Sequence, residues 1–159
     1  MVLVDTREQD TPSLRARLKH FGKYERCKLE AGDYSAKVPA NGEWYQIPVA
    51  VERKMDFDEL ANCYCKQRPR FTREFERARD AHIKLYLLIE GGSWEDAYNG
   101  AYRSHMAPKS LVASMLAWLA RYDCQILFCG SQTTGKLIHD ILYREAKEAL
   151  MRMVDDGES

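Results

Sequence analysis

The residues able to do chemistry cluster at the end of one apolar run. Val49-Ala50-Val51 leads into Glu52-Arg53-Lys54, and further upstream Asp33 follows Gly32. In a strand the side chains alternate, so Glu52 and Lys54 share one face and Arg53 takes the other. Two carboxylates on neighbouring strands can share Mg²⁺, which takes oxygen ligands and keeps several waters. Such an ion polarises a phosphoryl oxygen and lowers the pKa of bound water. A lysine on the same face can orient the attacking water or neutralise charge developing on phosphorus. Asp5 and Glu8, after the first apolar run, are candidates to support this site or to form a second metal position. Carboxylate and lysine at this spacing are a loose pattern, and surface charge at strand ends is the ordinary alternative. Three coincident features favour the metal site: the glycine before Asp33, a turn that brings the two ends together, and the apolar strand feeding Glu52.

The elements that must position these residues follow from periodicity. Met1 to Val4 is apolar and β-branched and predicts a first strand ending in carboxylates. Thr11-Pro12-Ser13 opens a helix with Leu14, Leu18 and Phe21 on one side, ended by Gly22. Tyr24 to Leu29 is a short strand. Tyr34 to Val38 and Trp44 to Glu52 read as two strands joined by the hairpin turn at Asn41-Gly42, where Asn-Gly tolerates the positive φ required. That hairpin places Asp33 and Glu52 at one rim. Asp56, with Glu59 three residues on, predicts the start of a helix from Phe57 to about Lys66. A basic helix follows from about Arg70 to Ala81, with Phe71, Phe75 and Ala78 inward. Leu85 to Glu90 and Gln125 to Cys129 are expected to be buried strands. Between them lie a short helix with a loop and a patterned helix from Pro108 to Arg121. A last helix runs to about Met153. The order predicts a three-layer α/β domain with a central mixed sheet flanked by helices, over residues 1–154, with 155–159 as a flexible tail.

Composition narrows the class. The chain has 159 residues, 45% of them hydrophobic, enough for one domain with a full core. No apolar run is long enough to cross a bilayer, and the start lacks a leader pattern, so no membrane partner and a cytoplasmic location are expected (nuclear in a eukaryote). Lys plus Arg equals Asp plus Glu at 24 each, so net charge does not point to a polyanion. Local charge does. Between Lys66 and Arg79, six basic residues (Lys66, Arg68, Arg70, Arg73, Arg77 and Arg79) face two acids, while acids gather at Asp5, Glu8, Asp33, Glu52, Asp56, Asp58 and Glu59. An acidic centre beside a basic helix suits a metal-dependent site on a phosphate backbone; a solvated helix face is the alternative. The five cysteines fit no zinc spacing and are expected to be reduced thiols. Gly130 to Lys136 lacks a phosphate-loop string and reads as a helix start.

The string Gly32-Asp33, then Glu52-Arg53-Lys54-Met55-Asp56-Phe57-Asp58, resembles the GD-(x)n-ERK-xxx-D signature of the XPF/Hef family of structure-specific DNA endonucleases. Val4 to Glu8 resembles that family's opening strand. Arg70-Phe71 with Glu74 resembles the helix after the signature, and Leu85 to Gly91 its central strand. The resemblance implies a restriction-endonuclease-like fold and Mg²⁺- or Mn²⁺-dependent cleavage of one DNA strand near branches, flaps or forks, in repair or recombination. Carried over by position, Asp33 and Glu52 are metal ligands with the Arg53 carbonyl as a third, Lys54 orients water, Asp5 and Glu8 assist, and Asp58 holds the motif or simply favours a helix start. Arg53, Arg68, Arg70, Arg73 and Arg77 are the candidate DNA contacts. Arg7 and Arg53 are assigned to salt bridges or phosphate contact, with both left open. The family's helix-hairpin-helix module and helicase have no counterpart here, so a stand-alone nuclease domain is expected, and substrate choice stays open. A homodimer through the helices from Ser110 to Arg121 and Thr134 to Met153, with Trp118, Tyr122 and Tyr143 at its surface, is also implied. The rivals are a nuclease acting on ordinary duplex or single strands, and a catalytically silent DNA-binding scaffold.

Overall fold

Alternation along the strands divides the hydrophobic residues between two faces of one sheet. The computed structural model describes residues 1–158. Strands β1 (Val2–Asp5), β2 (Tyr24–Cys27), β3 (Tyr34–Ala40), β5 (Val49–Lys54), β6 (Lys84–Glu90) and β7 (Cys124–Cys129) lie in the order β2-β1-β3-β5-β6-β7, and β4 (Glu43–Gln46) pairs with β3 alone. Pairing is parallel for β1 with β2, β5 with β6 and β6 with β7, and antiparallel for β3 with β1, β4 and β5. The sheet is mixed, as expected.

One face packs against α1 (Pro12–Leu18) and α6 (Thr134–Glu158), where Val2, Val4, Val49, Val51 and Leu88 meet Leu14, Ile138 and Leu142. The other packs against α2 (Phe57–Lys66), α3 (Arg68–Asp80) and α5 (Pro108–Arg121), where Leu85, Leu87 and Ile89 meet Phe57, Leu60, Phe75 and Met115. The short α4 (Trp94–Asn99) is capped by Ser93 and packs on α5. Glu52 and Lys54 therefore face α2 and α3, whereas Arg53 faces α6.

Several expectations are corrected. The return strand from Trp44 to Glu52 is broken at Ile47-Pro48, so β4 and β5 are separate. Near the site, β3 and β5 meet in the single register pair Tyr34↔Val51. The rim that joins Asp33 to Glu52 is thus set by β5 directly, not by the Asn41-Gly42 hairpin. β7 is an edge strand and only half-buried, because no element pairs its outer side. The last helix runs past Met153 to Glu158, so residues 155–158 extend it; Ser159 of the expected tail lies outside the described residues. Trp118 is buried, stacked on Phe75 at 5.4 Å, and so is not a surface residue for dimerisation. Trp94 and Tyr102 pack beside Phe128 and Phe57, while Tyr98 stays exposed.

One glycine fixes the approach of β3 to β5. Gly32 has φ of 75°, and a Cβ there would sit 2.8 Å from the Ala50 Cβ and 3.1 Å from the Val51 carbonyl oxygen. Gly32→Ala is expected to cost about 1–3 kcal/mol, from backbone strain and the clash together. Urea unfolding checks this, with the midpoint expected to fall.

Candidate active site

The end of β5 gathers the chemistry because three strands are stitched there by one residue. The Asp33 amide donates to the Val51 carbonyl at 2.8 Å, and the Asp33 carbonyl accepts from the Asp5 amide at 2.9 Å. Its carboxylate then accepts the Arg53 amide at Oδ2, 2.8 Å away, in place of a ladder bond from β3. In a strand, a residue's N–H and C=O leave by the same edge, so the Arg53 carbonyl is directed toward the Asp33 side.

On the α2–α3 face, Lys54 Nζ donates to Glu52 Oε1 at 2.9 Å and lies 5.4 Å from the centre of the Phe71 ring. Both side chains are largely buried. Asp33, Glu52, Lys54 and Glu8 line one cleft of about 340 Å³ with Glu59, Arg70 and Glu74. Burial pushes the Asp33 carboxyl well above the usual range, and repulsion from Glu52 and Glu8 adds to it. Burial also raises Glu52; Lys54 opposes this, while Glu74 and Glu8 add to it. Burial would depress Lys54, but the neighbouring Glu52 charge outweighs it and holds the ammonium firmly protonated. Arg7, Lys54 and Arg70 stand against Glu8, Asp33, Glu52, Glu59 and Glu74 in its lining, so the cleft is short of positive charge. Among the described residues, no three His, Cys, Asp or Glu side chains are close enough to cage an ion by themselves. Asp33, Glu52 and the Arg53 carbonyl could hold one that keeps waters in its other positions.

The remaining expected residues separate. Glu8 reaches the cleft, and its Oε2 accepts from the Tyr34 hydroxyl at 2.8 Å and from Arg17 Nη2 at 3.4 Å. Asp5 does not line it. Its buried carboxylate accepts from the Arg7 amide at 2.8 Å, from Arg7 Nε at 2.7 Å and from the Leu29 amide at 2.8 Å, so it ties the strand end to the β2 exit. Arg7 screens it and lowers its pKa despite burial. Arg53 projects to the opposite face and grips Glu90 with two bonds of 2.8 and 3.1 Å, a salt bridge that turns its guanidinium away from the cleft. Thr134 donates to the same Glu90 at 2.6 Å. Of the basic helix, Arg70 lines the cleft, Arg77 is paired to Glu74 at 2.7 Å, Arg73 is exposed, and Arg68 faces the helix's far side. Asp58 accepts the Ser104 amide at 2.6 Å and anchors α2 to the loop before α5. Asp56 caps α2 by accepting the Glu59 amide at 2.8 Å, as the spacing predicts.

Sequence reasoning missed three supports. Arg17 sits on the inward stripe of α1 between Leu14 and Phe21, and donates to the Tyr34 hydroxyl at 2.8 Å and to Ser13 at 2.7 Å. A charge on an apolar stripe was the available signal. Glu90 ends an apolar run, where an acid has to be paired. Glu74 accepts the Gly32 amide at 2.6 Å and so holds the turn before Asp33.

The ERCC4 domain model matches residues 4–141. The chain belongs to the ERCC4 domain family. Family membership carries the assignment of a structure-specific DNA nuclease, and the matched span contains every residue of the cleft. Among solved structures, XPF from Aeropyrum pernix is 21% identical, with a TM-score of 0.64, over 99% of this chain and 68% of that one. XPF from the same organism in complex with DNA is 20% identical, with a TM-score of 0.65, over 92% of this chain and 65% of that one. The chain thus spans about two-thirds of the length of these relatives, and the likeness is one of fold. No match was found among curated proteins.

The raised Asp33 pKa has a consequence for stability. A carboxyl with a folded-state pKa above its ordinary 3.8 binds more protons folded than unfolded, so stability falls as pH rises from 3.8 toward the raised value. In chelator-treated protein, Asp33→Asn keeps an acceptor for the Arg53 amide and removes the charge. Its melting temperature should exceed that of the wild type at pH 7, with the gap closing toward pH 3.8. Thermal melts across pH check this; equal melting temperatures at every pH would contradict it.

Proposed function

We propose that the cleft is the active centre of a Mg²⁺- or Mn²⁺-dependent endodeoxyribonuclease that cuts one strand of DNA near branches, flaps or forks. The observation that carries the reading is the pairing of Glu52 with Lys54 on one face of β5, with the Asp33 carboxylate pinned beside them by the Arg53 amide. Two carboxylates that repel each other in a partly buried cleft, with room for water, fit a hard, partly hydrated cation. Asp33, Glu52 and the Arg53 carbonyl would hold it. When bound, it supplies a Lewis acid to a phosphate oxygen and a more acidic water.

The chain's own residues perform the rest. Lys54 stays protonated at neutral pH and therefore serves as a cation, not a base. Its ammonium orients the attacking water and stabilises charge on the phosphorane oxygens. Glu52 fixes that ammonium at 2.9 Å. Glu8, held by Tyr34 and Arg17, adds negative charge beside Asp33 and so strengthens the demand for a cation. Arg70 at the cleft wall contacts the DNA phosphate backbone. The water oxygen bonds to phosphorus as the bond to the 3′ oxygen breaks, and the proton it gives up passes to solvent. The departing oxygen takes up a proton, leaving a 3′ hydroxyl and a 5′ phosphate. A homodimer through α5 or α6 would use the apolar residues these helices leave exposed, Leu116 and Leu119 on α5 and Tyr143 and Met151 on α6.

Forked, flapped, four-way and linear DNA incubated with Mg²⁺ or Mn²⁺ tests this. Forks and flaps should be cut fastest. Lys54→Ala and Asp33→Ala should each lower the rate by about 10²–10³-fold, as for removal of one transition-state contact. Linear duplex cut as fast as forks would remove branch selectivity. Binding without cutting, equal in the wild type and both variants, would leave a scaffold.

A further inference from the structure

Helix α3 shows two different stripes to two different depressions. Gln67, Phe71 and Glu74 line the acidic cleft. Arg68, Thr72 and Phe75 line a separate groove of about 330 Å³, whose other wall is α5. Both sets follow i, i+4, i+7 spacing, displaced by one residue, which turns one stripe about 100° from the other. A single helical ridge therefore separates the two.

The groove differs in charge from the cleft. Among the described residues, no carboxylate lines it, and neither Arg68 nor Arg121 forms an ion pair. Along α5, Ser110, Ser114, Ala117 and Arg121 share the face that lines it, a run of roughly 16 Å at the helical rise. Two helix N-termini open beside it. The N-caps Gln67 and Ala107 give no side-chain hydrogen bond to α3 or α5, and the first turns they precede contribute Arg68 and Ser110 to the lining. Uncapped N-termini carry partial positive charge. Of the rings behind this wall, Phe75 and Trp118 are buried and stacked 5.4 Å apart, and half-buried Tyr64 and Tyr122 reach the groove; the Arg68 guanidinium is 4.9 Å from the Tyr64 ring centre.

We propose that this groove binds single-stranded nucleic acid, namely the unpaired strand that leaves the scissile phosphodiester and crosses the α3 ridge. Arg68 and Arg121 take phosphates, the hydroxyls of Ser110 and Thr72 take phosphate or sugar oxygens, and half-buried Tyr64 and Tyr122 receive bases. Cations with aromatic faces and no acid are the combination that retains an unpaired strand without reading its sequence. The identity of that strand rests on the nuclease reading; the charge and shape of the groove do not. The groove gives branch recognition a physical basis, because a fully paired duplex cannot lay one strand in each depression.

Fluorescence anisotropy in EDTA, which prevents cutting, tests the groove with a labelled oligodeoxynucleotide, single-stranded or as a duplex of the same length. Arg121→Glu and Arg68→Glu should each lower the ratio of single-strand to duplex affinity about tenfold and flatten its salt dependence. Arg144→Glu, an equal charge change on exposed α6, should leave the ratio as in the wild type. Groove variants that keep the wild-type ratio, or an Arg144→Glu variant that lowers it equally, would overturn the proposal. A protein that cuts no DNA but binds single strands through Arg121 would remove the nuclease reading and keep the groove. Cutting that needs Asp33 and Lys54, with unaltered ratios in the groove variants, would do the reverse.

Discussion

The hydrogen bond from the Arg53 amide to the Asp33 carboxylate is the contact around which the site is arranged. It places a side-chain acceptor where a strand residue would ordinarily pair. β3 consequently leaves β5 after the Tyr34↔Val51 pair, and the opening becomes the cleft. Gly32 makes this geometry attainable, because any Cβ would meet Ala50 and the Val51 carbonyl. Glu74 holds the Gly32 amide from α3, so the turn is secured from the helix as well as from the strand. The outcome is electrostatically unfavourable by itself. Asp33 and Glu52 sit close together in partial burial, where the charged form of each carboxyl is disfavoured. Carboxyls perturbed in this way cluster at functional sites.

The sheet resolves the other charges on its reverse face. Arg53 and Glu90 pair at 2.8 Å across parallel strands, with Thr134 of α6 closing on the same carboxylate. This buried pair fixes α6 against the strand that carries the site. Arg17 does the equivalent for α1, reaching Glu8 both directly and through the Tyr34 hydroxyl. The two helices on the face away from the cleft thus brace Glu8 and the strand that carries the site through polar bonds.

The chain shares its fold with the Aeropyrum pernix XPF structures at about one-fifth identity. The apolar residues of β5 and β6 can vary while alternation holds, since burial is insensitive to the exact hydrocarbon. The rim cannot vary so freely, because each polar group there has one partner at one distance. α3 serves as a wall to two depressions of opposite charge, and that arrangement depends on helical pitch and not on any one contact.

Local rules made part of this legible from the sequence. Period two in β5 assigned Glu52 and Lys54 to one face and Arg53 to the other, and the structure places them so. The spacing of Asp56 and Glu59 marked the start of α2, and the apolar runs marked β6 and the inward stripe of α5. The ERK-type motif pointed to the family. Tertiary structure alone decided the partners. Asp5 and Glu8 are equivalent acids in the sequence, yet Arg7 and the Leu29 amide draw Asp5 aside while Tyr34 holds Glu8 at the cleft. Arg68 and Arg70 are two residues apart in one basic run, yet helical rotation sends them to opposite sides of α3. The break between β4 and β5 and the exposed edge of β7 were likewise hidden. Periodicity specifies which way a side chain points; what stands opposite it comes from residues distant in sequence, and only the folded chain brings these together.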